Sequence, residues 1–298
     1  MDLDRENQRK KIERFIQKMP SLSTTVGKVL EICSRIDASP NELNRVISLD
    51  PVLTGQVLKL INSAYYSLMS KVTSLTRAIT MLGMNTVKNM ALSTAIIQSV
   101  SSSNKSRALP TAKFWAHSIG VGVSAKLLAA TIGVPVQERE EYFIAGLLHD
   151  LGKVPFGDEY IHVLSVARQE QRPLVVVERE LLGVDHQEVG GLIAAKWRLT
   201  GVMSNCICCH HDFDTPIDAP KAAGLSHDDR VKVAIVALAN MYINIHDIGY
   251  AGDPFPEYTN AEALLELAGL DWQDLSIIGR TVEDEILKAQ VFLGAVTK

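Results

Sequence analysis

With 298 residues, 47% hydrophobic and 21% charged, the chain has the composition of one large or two packed globular units and excludes a disordered, collagenous or heavily cross-linked protein. A net charge of -4 gives no global attraction to phosphate backbones or anionic membranes, so no nucleic-acid partner is expected. Met1-Asp2-Leu3-Asp4-Arg5-Glu6 lacks a leader's basic-then-apolar run, no stretch reaches the roughly 18 apolar residues of a membrane span, and Cys33, Cys206, Cys208 and Cys209 do not form a disulfide framework. The expected setting is the reducing cytoplasm.

Arg5, Arg9, Lys10, Lys11 and Arg14 alternate with acids and predict a solvated helix face. Ser39-Pro40-Asn41-Glu42 reads as N-cap, first-turn proline and capping-box acid, and Leu43, Val46 and Ile47 follow at helical spacing. Asp50-Pro51 opens a further helix with an apolar face from Val52 to Ile61. Ser74 caps one containing Leu75, Ala78, Ile79 and Leu82, which Gly83 ends in a left-handed C-cap, and a helix of about Thr86 to Val100 follows. The breaker-rich run Ser101 to Pro110 marks the expected boundary between an N-terminal helical lobe, 1–105, and a second lobe, 106–298.

In the second lobe, Lys113 to Thr131 predicts a long apolar helix stopped by Gly133 and Pro135, and Arg139 to Leu151 predicts a helix carrying His149 and Asp150. Val175-Val176-Val177 is strand-like, but Glu178, Leu181 and Leu182 favour a helix there, and Asp185-His186-Gln187-Glu188 caps another through Trp197. With no parallel-sheet pattern and no glycine-rich phosphate loop, the fold class is all-α.

Five of the eight histidines, His117, His149, His186, His210 and His211, accompany Asp150 at separated helix or turn positions. Imidazole nitrogens and a carboxylate suit first-row ions such as Fe, Mn, Co, Ni or Zn, and a carboxylate can bridge two ions where imidazole cannot. Lys153, three residues after Asp150, places a cation where a metal-bound phosphate would sit. Cys206-x-Cys208-Cys209 lacks the CxxC spacing of a zinc pair and reads as core, and His162, His227 and His246 read as structural. Asn62-Ser63-Ala64-Tyr65-Tyr66 reads as a helix end packed on the second lobe, with a partner-binding surface as the alternative.

His117 and Gly146-Leu147-Leu148-His149-Asp150-Leu151-Gly152-Lys153 resemble the HD superfamily of metal-dependent phosphohydrolases, and His186 and His210-His211 resemble the added ligands of its HD-GYP branch, which hydrolyses cyclic di-GMP. Departures accompany the likeness: Asn240 stands where the motif has its distal aspartate, Lys113 where HD-GYP proteins have glutamate, and Asp212 to Pro216 replaces the Gly-Tyr-Pro signature. Met19-Pro20-Ser21-Leu22, Ile47 to Leu53, Leu60 to Tyr66 and Ala78 to Gly83 make the HDOD family the nearest branch, a resemblance spanning roughly Met19 to Met241.

That resemblance implies a bacterial-type signalling protein, non-catalytic or weakly catalytic, acting alone or with separate signalling proteins met through its N-terminal lobe. It implies one or two divalent first-row ions, Fe or Mn favoured, held by His117, His149, Asp150, His186, His210, His211 and weakly Asn240, with no organic cofactor. The alternative is a metal-dependent phosphohydrolase of cyclic dinucleotides, nucleotides or other phosphoesters, in which Asp150 and Lys153 serve catalysis.

Overall fold

A computed structural model describes residues 10, 12–17, 19, 21–33, 35, 37–63, 65–103, 106–199, 201–212, 224–253, 255 and 260–296. Among the described residues there is no strand, and no helix is long and apolar enough to cross a membrane. The all-α expectation is met. Of the expected basic N-terminal face, Arg5, Arg9 and Lys11 lie outside the described residues, while Lys10 and Arg14 are exposed.

Local chemistry explains the early boundaries. Helix α1 spans Thr24–Cys33. In α2 (Pro40–Ser48) the Glu42 amide donates to Ser39 Oγ and the Ser39 amide to Glu42 Oε2, closing the capping box. The Asp50 carboxylate caps α3 (Pro51–Ile61) by accepting from the Leu53 amide at 3.0 Å, and Ser74 caps α4 (Leu75–Leu82). Gly83 has φ +86° but ψ 159°, so it is no left-handed helical cap; the extended step merely re-aims the chain into α5 (Met84–Ser103). Helix α5 therefore runs past the predicted break at Ser101, where the Ser101 hydroxyl accepts from Trp115 Nε1.

Helices α6 (Thr111–Thr131) and α7 (Val136–Leu148) form the central antiparallel pair, and α5 packs on α7. The chain continues through a 3-10 segment, Leu151–Glu159, then α8 (Tyr160–Glu170), α9 (Leu174–Leu182), α10 (His186–Trp197) and α11 (Val202–Cys209). Helix α12 (His227–Ile245) and α14 (Trp272–Val296) lie on α6, and α13 (Ala261–Ala268) lies on α12. One apolar cluster runs from Ile12 and Leu43 through Trp115 and Phe143 to Leu238 and Ile278, so the helices before and after residue 105 share a core. Burial of that area is the main stabilising term.

The Asn62 to Tyr66 stretch is a corner. Asn62 Nδ2 donates to the Leu58 and Val72 carbonyls while its Oδ1 accepts from the Val72 amide, fixing the loop after α3; Ala64 lies outside the described residues. Tyr65 and Tyr66 reach across to α6 and α7. The Lys126 ammonium ion-pairs with Glu140 and donates to the Tyr65 hydroxyl at 3.1 Å, and the Tyr66 hydroxyl donates to Glu140 Oε2 at 3.4 Å. The stretch thus packs as a helix end against the second half of the chain.

Candidate metal centre

The His149-Asp150 doublet does not lie inside a helix as expected. Helix α7 ends at Leu148, His149 is its C-cap, and Asp150 opens the 3-10 segment, where the Lys153 amide donates to the Asp150 carbonyl at 3.0 Å. Pro155 lacks an amide hydrogen and cannot continue an α-helix, so the tighter i→i+3 turn takes over. That turn aims the Asp150 carboxylate back along α7 toward residues from four other segments. Gly152 makes the approach possible: a Cβ there would stand 1.8 Å from the His186 carbonyl oxygen and 2.5 Å from the Gly190 amide nitrogen. Gly249, at φ +75°, performs the same service behind His117, where a Cβ would lie 2.2 Å from the His117 amide nitrogen.

Around Asp150 the predicted histidines converge in two groups: His117 and His149 with Asp150, and His186, His210 and His211 with Asp150, each with ligand atoms within 4.8 Å of one another. Asp150 Oδ2 lies 3.3 Å from His149 Nε2 and 3.7 Å from His117 Nε2. Asp150 Oδ1 lies 3.5 Å from His186 Nε2 and 3.6 Å from His210 Nε2. One carboxylate therefore has an oxygen in each group. Lys153 Nζ donates to Oδ2 at 2.7 Å, and both partners are fully buried.

The backbone fixes the tautomers. His149 Nδ1–H donates to the Gly146 carbonyl at 2.7 Å and His210 Nδ1–H to the Cys206 carbonyl at 2.8 Å. His186 Nδ1–H donates to Glu178 Oε2 at 2.7 Å. Because a carbonyl can only accept, His149 and His210 each carry a proton on Nδ1 and turn Nε2 toward Asp150, and His186 does the same when Glu178 is ionised. His186 Nε2 and His210 Nε2 stand 3.2 Å apart. With Glu178 ionised the two nitrogens face each other as lone pairs and repel unless a cation lies between them, and about 3 to 3.5 Å is the spacing of two nitrogens on one first-row ion. His117 Nε2, His149 Nε2 and Asp150 Oδ1 are buried without a hydrogen bond, a costly arrangement that a shared ion relieves.

Protonation states match. Burial lowers His117 and His210 to about 3 and His211 to about 4, and lowers His186 well below its usual value, so these rings are neutral near pH 7. Burial alone would raise Asp150, but the neighbouring His149 ring, the Lys153 ammonium and nearby donors outweigh it and hold the carboxyl well below the usual range. The set fits a divalent first-row ion, borderline in softness and bound through nitrogen and oxygen.

Residues outside the predicted set hold it in place. Glu178, buried on α9, accepts from the Tyr160 hydroxyl and from the His186 amide at 2.9 Å and faces His186 Nδ1 at 2.7 Å; burial pushes its carboxyl up to about 8, a shift that a cation on His186 opposes. Gln187 ties the end of α11 to α10: its Oε1 accepts from the His211 amide at 2.8 Å and its Nε2 donates to Asp212. Asp253, in the loop after α12, is pushed up by burial, against which the Lys153 ammonium acts. The sequence signal for Glu178 was a carboxylate on the same helical face as Leu174 and Leu182; Asp253 offered none.

Asn240 is buried on α12 beside His117, and its Oδ1 accepts from Asn244 Nδ2 at 3.0 Å. Phe213 to Pro216, which stand in place of the Gly-Tyr-Pro signature, lie outside the described residues. Cys206 and Cys209 are buried in α11 and are not in a disulfide. His162 and His227 are exposed, and His246 bonds the Tyr242 carbonyl and stacks on its ring, away from the cluster.

Comparison with known proteins identifies the family and the fold. Residues 19–213 match the model of the HDOD domain. An uncharacterised protein of Treponema pallidum is 25% identical over 236 residues, covering 78% of this chain; the chain spans 43% of that relative's length. The crystal structure of an HDOD domain protein of unknown function from Geobacter sulfurreducens superposes with a TM-score of 0.71 at 26% identity, covering 96% of this chain and 97% of that one. A Shewanella amazonensis structure, provisionally named a phosphohydrolase, shares the fold with a TM-score of 0.68 at 23% identity, covering 95% and 98% of the two chains. The family match covers well over half of the sequence, and its span includes His117, the His149-Asp150 doublet, His186 and both His210 and His211: the chain belongs to the HDOD family.

Proposed function

We propose that this chain is a cytosolic signal-transduction protein, non-catalytic or weakly catalytic, built around a metal centre at Asp150 that takes one or two divalent first-row ions, Fe or Mn favoured. The observation that carries the reading is the pair of bare nitrogens, His186 Nε2 and His210 Nε2, 3.2 Å apart over the unbonded Asp150 Oδ1. His186, His210, His211 and Asp150 hold one ion; His117, His149 and the other oxygen of Asp150 offer a second position. The regulatory half of the reading is supported by Asn240, a neutral amide where the HD motif has its acid, and by Lys153, whose ammonium is engaged by Asp150. Cys206, Cys208 and Cys209, none of them in a disulfide, fit a reducing compartment. Partner signalling proteins would meet the helices before residue 105.

The alternative, a phosphohydrolase, is favoured by Lys153 itself, a buried cation beside the ligand set and suited to a phosphate oxygen. A bound ion would supply Lewis acidity and a water made acidic enough to lose its proton near neutrality. Elemental analysis of natively purified protein and of Asp150→Ala tests the centre: metal is expected in the first and absent from the second, and a metal-free native protein sinks it. Assays on cyclic dinucleotides, nucleotides and a generic phosphoester with Fe or Mn under reducing conditions separate the two readings. Turnover no higher than in Asp150→Ala is expected; many turnovers abolished in that variant would establish the hydrolase.

A further inference from the structure

We infer that the two sides of Asp150 are unequal: the Oδ1 side, with His186, His210 and His211, holds its ion tightly, whereas the Oδ2 side, with His117 and His149, is an exchangeable divalent-metal position whose occupant must displace the Lys153 ammonium. The inference rests on the metal centre proposed above and adds an order of affinity and a competitor.

Three contrasts carry it. The Oδ1 side offers three imidazoles and the Oδ2 side two. Oδ1 has no hydrogen bond, while Oδ2 already accepts from Lys153 Nζ at 2.7 Å. An ion arriving at Oδ2 therefore takes a lone pair from a buried ammonium and then sits beside that positive charge, whereas an ion at Oδ1 meets lone pairs with no bound proton to remove. The third contrast lies behind the rings. His186 donates its Nδ1–H to the Glu178 carboxylate, which is itself held by the Tyr160 hydroxyl. The neighbour of His117 is the uncharged Asn240, whose oxygen is also occupied by Asn244. A cation on His186 Nε2 favours the ionised form of Glu178, a carboxylate-backed imidazole is the stronger donor, and removing such a backing group costs about 10- to 100-fold in affinity. Ligand number, direct competition and backing charge all point the same way.

An exchangeable second position turns the centre into a reporter of free divalent metal. At low metal, Lys153 neutralises Asp150; at high metal, the ammonium is released from Oδ2 and the local charge changes. The ligand class is a first-row divalent ion, and Lys153 is the positioning group whose displacement marks its arrival.

The test is a titration of the chelator-stripped full-length protein with Mn(II), following free Mn(II) by electron paramagnetic resonance, with folding checked by circular dichroism. Two dissociation constants at least about 100-fold apart are expected, with His210→Ala removing the tight one and His117→Ala only the weak one. Lys153→Met should tighten the weak constant about tenfold or more while leaving the tight one within about threefold; Asn240→Asp should act in the same direction through the backing of His117 and serves if Lys153→Met fails to fold. Two equal constants, or a weak constant unmoved in the folded variants, overturn the inference and leave the metal centre standing. No Mn(II) bound at all overturns both.

Discussion

Among the described residues, Lys153–Asp150 is a fully buried lysine–carboxylate pair and Lys126–Glu140 a partly buried one, and they are finished to different degrees. At the corner between α3, α6 and α7, Lys126 pairs with Glu140 while Tyr65 and Tyr66 occupy the remaining positions, so both carboxylate oxygens and the ammonium are engaged. At the Asp150 centre, Lys153 engages one oxygen and the other is left without a hydrogen bond, with imidazole lone pairs turned toward it. A saturated cluster is a staple, because nothing remains in it for a ligand to satisfy. An unsaturated one, held open by a packed frame, is a binding site.

Breaking the second cluster should have the larger effect. Asp150→Ala strands the Lys153 ammonium, whose side chain is 1% exposed. It should cost about 3 to 5 kcal/mol in urea unfolding of the metal-free protein and abolish Mn(II) binding. If the variant keeps both stability and metal, Asp150 is not the hub.

Acid comes next. In the folded state His117 and His210 protonate only near 3 and His211 near 4, against about 6.5 in an unfolded chain. Below about 6.5 the unfolded state binds more protons, so the stability of the metal-free protein falls as the pH drops from there toward 4, by up to about 1.4 kcal/mol per unit for each buried ring. Urea midpoints at pH 7, 6 and 5 measure this, and a flat series would show that the rings are not buried neutral.

Glu178→Gln keeps the shape behind His186 and removes the carboxylate that a cation on His186 would favour. The tight Mn(II) constant should weaken about 10- to 100-fold, with the weak one unmoved. Equal loss at both would assign Glu178 to general scaffolding. Smallest is Glu140→Gln. Because the Lys126 side chain is 28% exposed and can rehydrate, a loss of about 1 to 2 kcal/mol is expected, and added Mn(II) should restore none of it. Recovery with metal would erase the distinction between the two pairs.

Much of the frame was legible because its causes are local. Ser39, Asp50, Ser74 and Asp185 each sit a few residues from the amides they cap, and spacing alone reveals them. The histidines and Asp150 were legible as residue types at separated positions, and Asn240 as a departure. What stayed hidden depends on three dimensions. The division of ligands between the two Asp150 oxygens is set by the turn at Gly152 and Pro155, and the tautomers by the Gly146 and Cys206 carbonyls. Glu178 reads as one helix residue among others until α9 is packed against α10. The end of α4 at Gly83 was legible but its geometry was not, because Gly83 supplies positive φ without the ψ of a left-handed helical cap.

At Gly152 the chain rests directly on the His186 carbonyl and the Gly190 amide. A contact made of main chain alone has no rotamer to adjust and little compressibility, so the spacing between Asp150 and the histidine at the head of α10 behaves as a fixed gauge. Substitution there would act as a shim, widening the gap without altering any ligand.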